Sequence, residues 1–230
     1  MTGMTAGAPL VKICGLKDTA TIRAMTGLPV DYIGFVFAAS KRQVTPEQAA
    51  ALREAALSAP MRGGRPPHTV GVFVDPSLEA LAEALEQVPL DVVQLHGRES
   101  AAFCREVGDR FGVQVWRALS VQEELPDRAP DASGAARIAA YEGAVSAVLI
   151  DTAGGGTGRA FRWELIPAYR EAARRHRLQL FVAGGLTPDN AAALVSDYRP
   201  DGVDVSSGVE TDGVKDILKI ASFAERVNRS

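Results

Sequence analysis

VLIDTAGGGTG, residues 148–158, decides how this chain of 230 residues folds. Val148, Leu149 and Ile150 form a short apolar run without alternation, which is how a strand buried on both faces of a parallel sheet reads. The run stops at a carboxylate, Asp151, and passes at once into Gly154, Gly155, Gly156, Thr157 and Gly158. Glycines carry no Cβ, so such a loop can bring bare backbone N–H groups up to an anion. A charge at a strand end beside an anion-cradling loop is an arrangement that does chemistry. The same residues would also make a flexible turn with a solvated aspartate.

The pattern repeats along the chain. Further strand candidates are LVKIC (10–14), YIGFVF (32–37), TVGVFV (69–74), DVVQL (91–95), VQVWRAL (113–119), LQLFVA (178–183) and DGVDV (201–205), which with VSAVLI (145–150) make eight. Helix-like stretches separate them. Thr45-Pro46-Glu47-Gln48 reads as an N-cap, a proline at the first helical position and a capping box. Thr187-Pro188-Asp189-Asn190 repeats that start, and Ser77 caps LEALAEALEQV. A last helix is expected over roughly 214–227, with Ile217, Leu218, Ile220 and Phe223 as its apolar stripe. Between 120 and 144, Pro126, Pro130 and Gly134 interrupt what should be a fifth helix. Eight strand–helix alternations point to a single-domain (β/α)8 TIM barrel over residues 10–230, behind an N-terminal extension, residues 1–9, expected to be flexible. A doubly wound open sheet is the alternative, but no G-x-G-x-x-G follows the first strand.

Composition narrows the function. The chain is 47% apolar and 23% charged with a net charge of −3, so no basic field recruits nucleic acid or membrane, and an anionic ligand must be held by local groups. Cys14 and Cys104 are too few for a disulfide scaffold and suit a reducing, cytoplasmic setting. No secretory signal or membrane-spanning run is legible.

Barrel enzymes carry their chemistry at the C-terminal ends of the strands. Those ends supply Cys14, the loop from Ala38 to Arg42, Asp75, His96-Gly97, Asp151, Gly184-Gly185 and Ser206-Ser207-Gly208. The loops after strands seven and eight commonly hold a phosphate, and Gly184, Gly185, Ser207 and Gly208 fit that use; two tight turns would read the same way. Lys12 and Cys14 share a strand face, and a neighbouring ammonium is expected to lower the thiol's pKa and make Cys14 a usable base. Asp151 would serve as an acid only if desolvation or a second negative charge raised its pKa. His96 stands where a functional residue would, though a packing or hydrogen-bonding role is equally open. Cys104 on a helix is expected to be inert, His176 to lie on a solvated helix end and His68 on a loop.

VKICGLKD (11–18), YIGFVFAASKRQVTPEQA (32–49), VGVFVD (70–75), VVQLHG (92–97), the Asp151 loop, FVAGGLTPDN (181–190) and VDVSSGVE (203–210) together resemble the phosphoribosylanthranilate isomerase family, in order and over nearly the whole chain. The resemblance implies a (β/α)8 barrel that turns N-(5-phosphoribosyl)anthranilate into 1-(2-carboxyphenylamino)-1-deoxyribulose 5-phosphate, without cofactor or metal, in tryptophan biosynthesis. It implies Asp151 as general acid and Cys14 as general base, with Arg42 at the anthranilate end. Lys12, His96, Gly156, Gly158, Gly184, Gly185, Asp204, Ser207 and Gly208 would complete the substrate site, in a monomer or homodimer. Two departures stand out: the link from Asp151 to Gly-Thr-Gly is short, and the family's Phe-Asp-Trp is here Phe161-Arg162-Trp163, which lacks a good N-cap. Competing readings are the histidine-pathway isomerase barrel, whose first strand carries an aspartate where Cys14 stands, and a non-catalytic sugar-phosphate-binding barrel.

Overall fold

A computed structural model describes residues 8–121, 134–152 and 162–230. Eight parallel strands follow one another around a closed barrel: β1 (Leu10–Cys14), β2 (Tyr32–Val36), β3 (His68–Phe73), β4 (Val92–Leu95), β5 (Gln114–Val121), β6 (Ala147–Thr152), β7 (Gln179–Val182) and β8 (Gly202–Val205). β1 pairs with both β2 and β8, which rules out the open sheet. The strands match the sequence reading apart from their ends. β5 and β6 each run two residues further than read, to Val121 and Thr152, because Ser120 and Val121 remain paired with Asp151 and Thr152. That extra pairing carries Asp151 inside the ladder instead of leaving it on a loop.

The covering helices are α1 (Thr19–Ala24), α2 (Pro46–Leu57), α3 (Leu78–Gln87), α4 (Ala101–Phe111), α5 (Ile166–Arg175), α6 (Ala191–Tyr198) and α7 (Ile217–Asn228). Thr45 and Gln48 form the expected capping box of α2, and Ser77 Oγ accepts the Ala80 N–H at the start of α3. The second Thr-Pro start is corrected by the structure. α6 begins at Ala191, and Thr187 to Asn190 form a turn in which Asn190 Oδ1 accepts the Thr187 N–H and Asn190 Nδ2 donates to the Gly185 carbonyl. The asparagine is thus spent on tying the turn to the loop after β7.

The last helix also starts later than expected. Glu210–Thr211 (β9) and Val214–Lys215 (β10) form an antiparallel hairpin, and Asp216 then caps α7 by accepting the Leu218 and Lys219 N–H groups. Leu218 is exposed, so the stripe is carried by Ile220, Phe223, Ala224 and Val227. Between β5 and β6 the described residues hold a 3-10 helix, Gly134–Tyr141; residues 122–133, with Pro126 and Pro130, lie outside them. Arg162 makes no capping hydrogen bond, and α5 starts at Ile166 without a side-chain cap.

Two apolar layers hold the barrel. One lies between strands and helices and includes Val11, Ile13, Ile33, Phe35 and Val93. The other fills the interior with Val70, Val92, Trp116, Leu149 and Phe181, and the Trp116 and Phe181 rings lie 4.3 Å apart. Two residues further along those strand faces stand Ala118 and Ala183, whose small size leaves room toward the C-terminal mouth. At the opposite end, Asp31, Asp91 and Asp201 each accept a strand N–H, from Val11, Thr69 and Leu180.

Buried charges interrupt the aliphatic strand bodies, Arg117 among them. Arg117 in β5 donates to the carbonyls of Leu95, Gly97 and Glu99 and lies 3.5 Å from the Glu99 carboxylate. Glu99 in turn accepts the Gly97 and Asp75 N–H groups, so this pair pins the loops after β3 and β4. Removing one member of such a pair strands the other in a low-dielectric interior. Arg117→Leu is therefore expected to cost about 3–5 kcal/mol of unfolding free energy, read from the urea midpoint at unchanged slope.

Candidate active site

Strand alternation points Lys12 and Cys14 inward while Val11 and Ile13 pack outward. A Cβ on Gly34, the register partner of Cys14, would stand 2.9 Å from the thiol sulfur, so glycine makes room for the thiol. Lys12 is fully buried, and a buried ammonium requires a carboxylate. Asp204, opposite Lys12 in the β1–β8 register, supplies it at 2.9 Å.

The expected lowering of the thiol pKa does not survive. Burial pushes Cys14 up and outweighs the downward pull of Lys12, Asp204 pushes it up further, and Lys215 pulls it down; the net shift is upward. The ammonium is present as anticipated, but its charge is shared with Asp204 and the thiol is dry. Cys104 is also buried, with its thiol pushed up to about 11 chiefly by burial, in keeping with an inert side chain.

Asp151 behaves as an acid site requires. Burial raises its pKa, the Thr152 N–H at 2.7 Å from Oδ1 opposes, and Asp204 adds a second negative charge; the result is about 6. Both forces anticipated from sequence are at work, the second supplied by the protein itself. Asp204 and Lys12 thus bear electrostatically on acid and thiol alike. His96 Nε2 lies 3.9 Å from Asp151 Oδ2, and burial, helped by Lys12, lowers the imidazole's pKa and keeps it neutral. Of the other histidines, His68 is exposed at the first position of β3 rather than on a loop, and His176 ends α5 with Glu142 3.0 Å from Nδ1.

Gly184, Gly185, Ser207 and Gly208 come together as expected. With Asp151, Asp204 and Ser206 they line a small cavity of about 40 Å³, sized for a compact group. Gly184 lies at φ +86°, and a Cβ there would meet Asp151 Oδ1 at 2.8 Å, so only glycine lets this loop close on the acid. Gly156 and Gly158 lie outside the described residues, as does the short link after Asp151. Among the described residues no set of His, Cys, Asp and Glu is placed to hold a metal ion, and no helix is long and apolar enough to cross a membrane.

Arg42, on the loop after β2, reaches the mouth but is not alone there. Its Nε and Nη2 donate to Glu210 Oε1 and Oε2 at 2.6 and 3.0 Å, and Lys215 Nζ donates to Glu210 Oε1 at 2.8 Å. Sequence reasoning assigned no role to Glu210 or Lys215. The signal was Asp212-Gly213, both at positive φ, a tight-turn pair that places Glu210 and Lys215 on facing strands of a hairpin.

A closed parallel barrel with its ionisable groups gathered at the C-terminal mouth is the architecture of a (β/α)8-barrel enzyme. Comparison with known proteins is specific. The family model for N-(5'-phosphoribosyl)anthranilate isomerase matches residues 11–226, and the chain belongs to that family. The N-(5'-phosphoribosyl)anthranilate isomerase of Brevibacillus brevis is 46% identical over 221 residues, covering 94% of this chain and 92% of that one. The crystal structure of phosphoribosyl anthranilate isomerase from Thermotoga maritima superposes with a TM-score of 0.77 at 32% identity, covering 96% of this chain and 100% of that one. A structure of such an isomerase in complex with reduced 1-(O-carboxyphenylamino)-1-deoxyribulose 5-phosphate gives a TM-score of 0.75 at 32% identity, with the same coverage.

Proposed function

We propose that this protein isomerises N-(5'-phosphoribosyl)anthranilate to 1-(2-carboxyphenylamino)-1-deoxyribulose 5-phosphate, with Asp151 as general acid and Cys14 as general base. The observation that carries the assignment of roles is one buried ion pair acting on both ionisable groups: Lys12–Asp204 bears on a carboxyl raised to about 6 and on the Cys14 thiol alike.

Asp151 gives its proton to the ribose ring oxygen as the bond from C1 to that oxygen breaks. The aniline nitrogen's lone pair forms the C1=N bond of a protonated Schiff base. The Cys14 thiolate then takes the proton from C2, and those electrons form the C1=C2 bond of an enolamine while the C=N pair returns to nitrogen. C1 gains a proton as the C2 hydroxyl loses one, leaving the ketose with no net change in atoms. The raised thiol pKa reduces the thiolate population but makes each thiolate a stronger base, and the adjacent iminium acidifies the C2 proton. The loops at Gly184-Gly185 and Ser207-Gly208 would hold the 5'-phosphate, Arg42 the carboxylate of the anthranilate, and His96, still neutral, would stand beside the acid. Two free thiols, Cys14 and Cys104, suit work in a reducing cytoplasm.

The test is a continuous assay following the fluorescence of freshly made phosphoribosylanthranilate. The protein is expected to abolish it, and millimolar inorganic phosphate is expected to raise KM at unchanged kcat. Fluorescence that outlasts the spontaneous control would refute the activity, and a KM indifferent to phosphate would remove those loops from the site.

A further inference from the structure

A second ion-pair chain at the mouth is centred on neither the acid nor the base. Glu210 opens the hairpin after β8 with its side chain only 6% exposed, and three cations surround it: Arg42, Lys215 and, at 3.7 Å, Lys41. Lys215 Nζ also donates to the Ser206 carbonyl at 2.8 Å, and Ser206 Oγ donates to the Cys14 carbonyl at 3.1 Å. The chain therefore joins the loop after β2 to the end of β1. The two hydrogen-bonded cations hold the Glu210 carboxyl at about 2 against its burial, so it is ionised throughout the neutral range.

A guanidinium has five donors in a rigid fork. Glu210 occupies the Nε and Nη2 positions of Arg42, and Nη1 has no hydrogen-bond partner among the described residues. Three cations against one carboxylate leave the cluster net positive, which favours a second anion at the free edge. The Arg42 stem lies against Gly15, where a Cβ would meet Arg42 Cδ at 2.5 Å, so glycine makes room for the stem while Glu210 holds the fork.

We propose that Glu210 is a positioning residue for substrate recognition: by clamping one edge of Arg42 it presents the other, pre-oriented, to a carboxylate carried on an aromatic ring. The inference rests on the function proposed above and adds what makes Arg42 selective. A flexible arginine would bind any anion; a clamped one favours a planar carboxylate at one height above the barrel mouth.

Titration calorimetry with two probes separates the ends of the site. Reduced 1-(O-carboxyphenylamino)-1-deoxyribulose 5-phosphate offers a carboxylate and a phosphate, whereas ribulose 5-phosphate offers only the phosphate end. Glu210→Gln is expected to weaken the first about tenfold, the scale of a charge-assisted hydrogen bond, and the second less than about twofold. In an Arg42→Met background the same substitution should change neither, because a residue acting through Arg42 has nothing left to act on. Equal losses for both probes, tighter binding of the first, or additive losses in the double variant would overturn the proposal. Should Glu210→Gln fail to fold because Lys215 is left buried without a carboxylate, Glu210→Gln with Lys215→Met removes both charges and carries the same expectations. Wild-type protein that binds ribulose 5-phosphate but not the reduced aminoketose would strike the substrate assignment itself, a different failure from that of the clamp.

Discussion

Asp151→Asn is expected to lower kcat at least ~100-fold while preserving the barrel, the scale of a lost proton-transfer group. At an ordinary carboxylate pKa, about one molecule in a thousand would carry the proton at pH 7. With the pKa raised to about 6, roughly one in ten does, so the environment supplies about a hundredfold of the acid's usefulness. The thiol titrates higher, so kcat/KM should be level between the two pKa values and fall on either side, with the acid limb near pH 6. In Asp151→Asn the break near pH 6 should disappear, so that residual activity keeps rising through pH 6 toward the thiol's own titration. Stability must move the other way. A carboxyl whose pKa is raised on folding contributes stability that is whole below the unfolded pKa and is lost as pH rises through the folded one. Ionised Asp151 therefore costs the folded wild type about 3 kcal/mol at most above pH 6, and asparagine avoids that cost. Asp151→Asn should be more stable than wild type at pH 8 and indistinguishable from it near pH 3.5. An unchanged rate, or a variant less stable at pH 8, would remove Asp151 from the role of acid.

The barrel was legible because its strands are short, β-rich and separated by capped helices, and because burial on both faces leaves an unbroken apolar run such as Val148 to Ile150. What misled was local chemistry with a second use. Thr187-Pro188 has the letters of the Thr45-Pro46 cap, but Asn190 is claimed by Thr187 and Gly185, and the helix waits until Ala191. Leu218 falls on the opposite side of α7 from Ile220, Phe223, Ala224 and Val227, and pairing of β9 with β10 delays the helix to Ile217.

The site followed the same division. Positions at strand ends followed from topology, so Asp151, His96 and the two glycine-containing loops came together as expected, while Cys14 shares a strand face with Lys12, whose partner Asp204 lines the same cavity. Partnerships did not. Asp204 neutralises Lys12 across 192 residues of chain and Glu210 clamps Arg42 across 168, distances over which no spacing rule operates. The sign of the Cys14 shift was hidden for the same reason: it is the balance between full burial and charges brought by two strands and a hairpin.

Cys14→Ser is expected to be as damaging to kcat as loss of the acid, at least ~100-fold, with little change in KM. Serine fits wherever the thiol fits, since the space conceded by Gly34 is already set for the larger sulfur. What it lacks is an accessible anion. A hydroxyl ionises far above a thiol, and the burial that already pushes Cys14 upward would act on the alkoxide too, while Lys12 remains committed to Asp204. The alkaline limb of the pH profile, which reports the Cys14 thiol, should vanish with the substitution. Alkylation gives an independent reading of the same group: iodoacetamide should inactivate the wild type with a pH dependence that follows the raised thiol, and Cys104→Ala should leave that dependence as it is, because Cys104 is buried on the inner face of α4. Turnover in Cys14→Ser within a few-fold of wild type would mean that another group lifts the proton from C2, and the Lys12–Asp204 pair would then have to be explained as packing alone.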